Sequence, residues 1–207
     1  MLSGCASFPP ASFPGENPAP NNGNPTANSQ TRSHGDQAKA ASALENAARK
    51  AALPEQPGLQ LQAARTWLQA GRTGEAERVI ASLSGPLTGS QIIERRVLDA
   101  DIALASGQPQ QAWQKMSAIP EPAGTPTAPQ YFDSRMRIAL AAARPVEGVK
   151  AEMSAERLAA NATVRGQLRA ELLSLLRQAR ERGVKLEPEA SQDPIVRGWL
   201  DLGAIAS

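Results

Sequence analysis

Two helix-hairpin signatures one repeat apart constrain this chain more than any other feature. The first reads Ala63-Ala64-x-x-Trp67-x-x-x-Gly71, followed by Ala76, Ile80 and Leu83. The second reads Ala100-x-x-Ala103-x-x-x-Gly107, followed by Ala112, Met116 and Ile119. The two glycines lie about one tetratricopeptide period, roughly 34 residues, apart. Small residues let two helices approach closely, the glycine turns the chain, and the alanine after the turn packs back on the first helix. The expected fold is all-α: a tetratricopeptide-like array of antiparallel helix hairpins, an α-solenoid. Such arrays act as binding scaffolds.

The flanking sequence extends this pattern. Residues 37–52 are alanine-rich and weakly periodic, and Pro54 and Pro57 end that segment. A helix over 58–70 closes at Gly71, and Thr73 is placed to cap its partner, whose Ala76, Val79, Ile80 and Leu83 share one face. Gly85-Pro86 stops that partner. Thr88-x-x-Gln91 has the form of a capping box, and Ile93, Val97, Ala100 and Leu104 follow on one face. Pro109 suits a first helical turn and turns Ala112, Trp113 and Met116 inward. After a Pro/Gly-rich loop from Pro120 to Pro129, further helices are expected over 130–143, 146–159 and 162–182. The last of these carries Val164, Leu168, Leu172, Leu175, Leu176 and Ala179 on one stripe. Asp193-Pro194 pairs an N-cap with a first-turn proline and opens a final helix.

The N-terminus has a different composition. Leu2-Ser3-Gly4-Cys5 matches a bacterial lipobox, in which small residues fit the signal peptidase cleft and the thiol accepts a diacylglycerol. Cys5 is the single cysteine, so it has no disulfide partner in the chain. Residues 1–5 are read as the remnant of a signal peptide, because only four residues precede Cys5 and an export signal needs an apolar core of about 7–15. Residues 6–35 place Pro9, Pro10, Pro14, Pro18, Pro20 and Pro25 among Asn, Ser, Thr and Gly. Such a stretch buries too little apolar surface to offset its ordering entropy and is expected to form a disordered tether. The helical domain is expected over 36–207.

Catalytic chemistry has little to work with. His34 is the sole histidine and falls in the expected tether, which argues against Ser-His-Asp and Cys-His arrangements. No Cys/His spacing suits zinc, and no phosphate-binding glycine loop or serine elbow is present. No cofactor is expected. Asp99 with Asp101, and Glu152 with Glu156, are read as solvated helix faces. The arginines at 165, 169, 177, 180 and 182, laced with Glu171 and Glu181, are read in the same way. A net charge of +2 and 3% aromatic content argue against nucleic acid as a partner. Trp67, Trp113 and Trp199 are read as packing residues. In the tetratricopeptide register, groove-facing positions fall near Arg65 and Gln69 in the first hairpin and near Asp101 and Ala105 in the second.

The lipobox, the Pro/Asn tether, the Trp67-Leu68-Gln69-Ala70-Gly71 hairpin and the closing Gly198-Trp199-Leu200-Asp201-Leu202 together resemble the penicillin-binding protein activator lipoproteins of the LpoA type, over residues 36–207. The resemblance implies the family's N-terminal helical domain, with Cys5 lipidated in the outer membrane and the chain facing the periplasm. Ala6 after Cys5, in place of Asp, fits that sorting. It implies a non-catalytic activator of a class A penicillin-binding protein, a peptidoglycan synthase, with peptidoglycan itself as a further expected contact. Family members continue into a large α/β domain, and this chain stops where that domain would begin, as a fragment or as the product of a truncated gene. The alternative is a general periplasmic scaffold lipoprotein of another envelope assembly machine. A peptidoglycan-cleaving enzyme is disfavoured by the missing nucleophile and metal ligands.

Overall fold

The computed structural model describes residues 25–122 and 124–205, with side chains from residue 33 onward. Among these residues nine α-helices occur and no strand. They are α1 (Pro25–Lys50), α2 (Gln56–Gln69), α3 (Thr73–Ala81), α4 (Gly89–Ala105), α5 (Pro109–Ser117), α6 (Ala128–Ala141), α7 (Pro145–Leu158), α8 (Ala162–Glu181) and α9 (Pro194–Ile205), with a 3-10 turn at Pro188–Ala190 before the last. None is long and apolar enough to cross a membrane.

Local signals set most boundaries. The Thr88 side chain accepts from the Gln91 amide, and the Gln91 side chain accepts from the Thr88 amide, which completes the capping box of α4. The Asn161 side chain caps α8 through the Val164 amide. Asp193 Oδ1 accepts from the Ile195 and Val196 amides at the start of α9. These contacts satisfy amide donors that a helix end leaves free.

Several expectations are corrected. Thr73 is the first helical residue of α3, not its cap, and no side chain caps that end. Pro57 lies in the first turn of α2, where proline needs no amide donor, and does not end the preceding segment. The first helix begins at Pro25, ahead of the expected start at Asp36. Proline tolerates that opening position, and the next proline is Pro54. His34, expected in the tether, therefore sits on α1 against the α2–α3 turn. A β-carbon added at Gly71 would lie 3.5 Å from its Nδ1. Cys5 and residues 6–24 lie outside the described residues.

The helices alternate between two layers. α2 packs on α4, α4 on α6 and α6 on α8, so these four form one wall; α3, α5 and α7 pair with them from behind. α4 separates two apolar cores. Leu98 and Ile102 join Leu61, Ala64, Ala76, Val79 and Ile80 on one side. Val97, Ala100 and Ala103 join Met116, Tyr131, Met136, Leu140, Leu172 and Leu200 on the other. Tyr131 anchors the loop before α6 by donating its hydroxyl to the Ile119 carbonyl at 3.2 Å.

The α6–α7 pair is a third repeat of the same design. Gly71, Gly107 and Ala143 follow at equal 36-residue steps, and each has positive φ, at 70°, 74° and 59°. After each, the next residue returns its amide to a carbonyl five residues back: Arg72 to Trp67, Gln108 to Ala103 and Arg144 to Ala139, at 2.8–2.9 Å. This is the six-to-one closure of a Schellman turn. Turn glycines mark only the first two hairpins in the sequence, because alanine stands at the third turn.

Candidate functional site

The wall of α2, α4 and α6 is hollowed by a cavity of about 400 Å³. It takes Arg65, Leu68 and Gln69 from α2, and Leu98, Asp101, Leu104 and Ala105 from α4. From α6 come Gln130, Asp133, Ser134 and Arg137. All four groove positions read from the sequence (Arg65, Gln69, Asp101 and Ala105) are therefore brought into one hollow. The α6 contribution was missed with the third repeat. Its signal was available: Arg65, Asp101 and Arg137 sit at the same position in three successive repeats, each six residues before a turn residue.

This polar ladder is tied together across the helices. Arg65 bonds Glu94 of α4 at 2.8 Å. Ser134 donates its hydroxyl to Asp101 Oδ2 at 2.8 Å. Arg137 donates to Asp133 Oδ2 through Nη2 at 3.0 Å and Nε at 3.3 Å, and its Nη2 lies 3.8 Å from Asp101 Oδ1. Burial pushes the Asp101 carboxyl above its ordinary range, against the pull of Arg137 and Ser134. Burial pulls the Arg137 guanidinium down, but Asp133 and Asp101 outweigh it and hold it above its ordinary value. Leu68, Leu98 and Leu104 supply the apolar walls.

The carboxylate pairs read as solvated faces are corrected on two residues. The Oδ1 of Asp101 is buried with no hydrogen-bond donor. Glu152 is 0% exposed, and neither of its oxygens meets a donor. Burial and the neighbouring Glu156 carboxylate raise the Glu152 pKa to about 7. Glu156 itself is held down by the Arg169 guanidinium, which pairs with it from α8. The reason is register: Glu152 occupies the position that Ile80 and Met116 fill in the first two repeats, both buried. A helix packed on two sides has a wider buried face than the periodicity of one hairpin shows.

The other singled-out residues sit elsewhere. The arginines at 165, 169, 177, 180 and 182 are exposed. Trp67 is half-buried and donates its indole N–H to Glu45 Oε1 at 2.6 Å; Arg78 reaches the same oxygen at 2.8 Å. Burial alone would raise the Glu45 carboxyl, but the bonds from Arg78 and Trp67 hold it below its usual value. Trp113 is overlaid by Arg135 and Arg144, with guanidinium carbons 5.7 and 5.4 Å from the ring centre. Trp199 floors a shallow hollow with Met153 and Ile195. Among the described residues no group of three or more His, Cys, Asp or Glu side chains is placed to hold a metal ion.

Comparison with known proteins follows the same architecture. Residues 35–207 match the family described as LppC putative lipoprotein. The N-terminal domain of LpoA from Haemophilus influenzae superposes with a TM-score of 0.60 at 21% identity, over 79% of this chain and 74% of that one. Full-length LpoA from the same organism gives 0.61 at 20% identity, over 79% of this chain but only 30% of its own length. The amino-terminal domain of LpoA from E. coli gives 0.58 at 21% identity, over 79% and 73%. At these identities the likeness establishes the fold. No curated protein matches the chain.

Proposed function

Since this chain belongs to the LppC putative lipoprotein family, we propose that it is the N-terminal helical module of an outer-membrane lipoprotein that activates a class A penicillin-binding protein. The family is one of non-catalytic lipoprotein regulators, so the chain is not an enzyme. The match over residues 35–207, nearly the whole helical array, carries the proposal. The fold supports it, because stacked hairpins present an extended concave surface to a partner. In this reading Cys5 carries the lipid, the residues after it form the tether, and the array stands off the membrane within reach of the synthase. Peptidoglycan is a further contact that the periplasmic setting brings within range.

The test is capture. The full chain is immobilised and exposed to detergent-solubilised envelope, and bound proteins are labelled with fluorescent penicillin and separated on a gel. A labelled band of class A size supports the reading. The absence of any labelled band, with circular dichroism showing a folded helical chain, removes the synthase contact from this module. Capture of other envelope proteins alone turns the function towards a scaffold of another assembly machine.

A further inference from the structure

The groove has an imbalance that its own residues leave uncorrected. Both of its guanidiniums are engaged by carboxylates of the wall, Arg65 by Glu94 and Arg137 by Asp133. Asp101 is not satisfied in the same way. Its Oδ2 accepts from Ser134, but its Oδ1 is buried and accepts no hydrogen bond. The nearest cationic atom, Arg137 Nη2, stands 3.8 Å away, an ion-pair separation too long for a hydrogen bond. Glu94, Asp101 and Asp133 thus stand against Arg65 and Arg137. The site holds excess negative charge and a buried acceptor that lacks a donor.

The shape sets what can supply that donor. The cavity of about 400 Å³ has apolar walls from Leu68, Leu98 and Leu104 leading to the Asp101 carboxylate. A side chain with an aliphatic stem and a cationic head matches both parts. Gln69 and Gln130 stand on α2 and α6, on either side of α4. Their amides can each donate and accept, as the backbone of an extended peptide requires. We propose that this groove docks an extended peptide segment of a partner protein and takes one of its lysine or arginine side chains, head on Asp101 and Asp133. This deepens the regulator reading and rests on it only in making the partner a protein.

The experiment is a selection of phage-displayed random nine-residue peptides on the immobilised full chain. Peptides enriched in lysine or arginine at one position are expected. That enrichment should vanish for Asp101→Asn, which keeps the side-chain shape and an acceptor for Ser134. It should also vanish for Ala105→Trp, which fills the groove from an exposed position. A selected peptide resynthesised with norleucine at the basic position should bind about tenfold more weakly, or worse, for loss of a charge-assisted bond. Circular dichroism checks that both variants remain folded. No enriched peptide, enrichment without a basic residue, or basic enrichment retained in either variant would each overturn the proposal. No synthase takes part in the selection. Failure here therefore leaves synthase capture untouched, and failed capture leaves a positive selection standing.

Discussion

The second and third hairpins share one backbone and differ in what they place on it. Both close with the same amide returned five residues back, and both open the following helix with a proline two residues after the turn. At the turn residue one has Gly107 and the other Ala143. Where the following helix packs back, one has Ala112 and the other Gly148. In the deepest position of that helix, one has Met116 and the other Glu152. The repeat is therefore held by geometry, and its side chains can change as long as each neighbourhood compensates. Glu152 shows how far that tolerance extends: a carboxyl buried as fully as a methionine, next to a second carboxylate.

Exchanging the residues of this deepest position should have the largest effect. Met116→Glu places a carboxyl in an apolar slot and should cost about 3 kcal/mol or more at pH 8. Glu152→Met should stabilise by on the order of 2–3 kcal/mol at pH 8. The sign follows from protons bound. Glu152 holds its proton up to about pH 7 in the fold, while the unfolded chain releases it near the ordinary 4.5. Its stabilising contribution is full below 4.5 and is lost as pH rises through 7. Glu156, held low by Arg169, acts only below that window. Urea unfolding at pH 5 and pH 8 reads both effects. Equal midpoints for wild type and Glu152→Met at pH 8 would show that the buried carboxyl costs nothing there.

The packing position comes next. A β-carbon on Gly148 would stand 2.7 Å from Cγ of the fully buried Leu140, so Leu140 or the helix must shift. Overpacking of about 1–3 kcal/mol should exceed the gain of about 1 kcal/mol that alanine brings to a helix. Gly148→Ala should therefore lower the melting temperature. A melting temperature that rises would mean the third hairpin has room to spare and is packed no more tightly than the second.

The turn residues give the smallest effects, of opposite sign. Alanine in the left-handed region is strained by about 1 kcal/mol or slightly more. Gly107→Ala should destabilise by about 0.5 kcal/mol, the strain less the entropy that alanine removes from the unfolded chain. Ala143→Gly relieves the strain but frees the unfolded chain, so it should stabilise by about 0.5 kcal/mol. Denaturant midpoints that move in the same direction for both variants would break the equivalence of the two turns.

Much of this was legible in the sequence because it is local. The capping box at Thr88 and the Asp193-Pro194 start depend on residues within one turn, and glycine at 71 and 107 is what a left-handed residue favours. The groove positions on α2 and α4 followed from the same spacing. The third repeat escaped because its turn residue is alanine, which gives no signal by type, although Pro145 follows it as Pro109 follows Gly107. Asp101 and Glu152 escaped for a different reason. An acidic residue on a helix reads as solvated until a neighbouring helix is known to cover it.

The amino-acid sequence by itself determined the helices, their ends and the pairing of neighbours into hairpins, because hydrophobic period, caps and turns act within a few residues. Only the tertiary structure decided which charges are buried and with what company. Ser134 reaches Asp101 across 33 positions of chain, and Arg169 reaches Glu156 from another helix. Burial of a charge is set by the distance to such groups and by the water they exclude, and neither is a property of spacing along one helix.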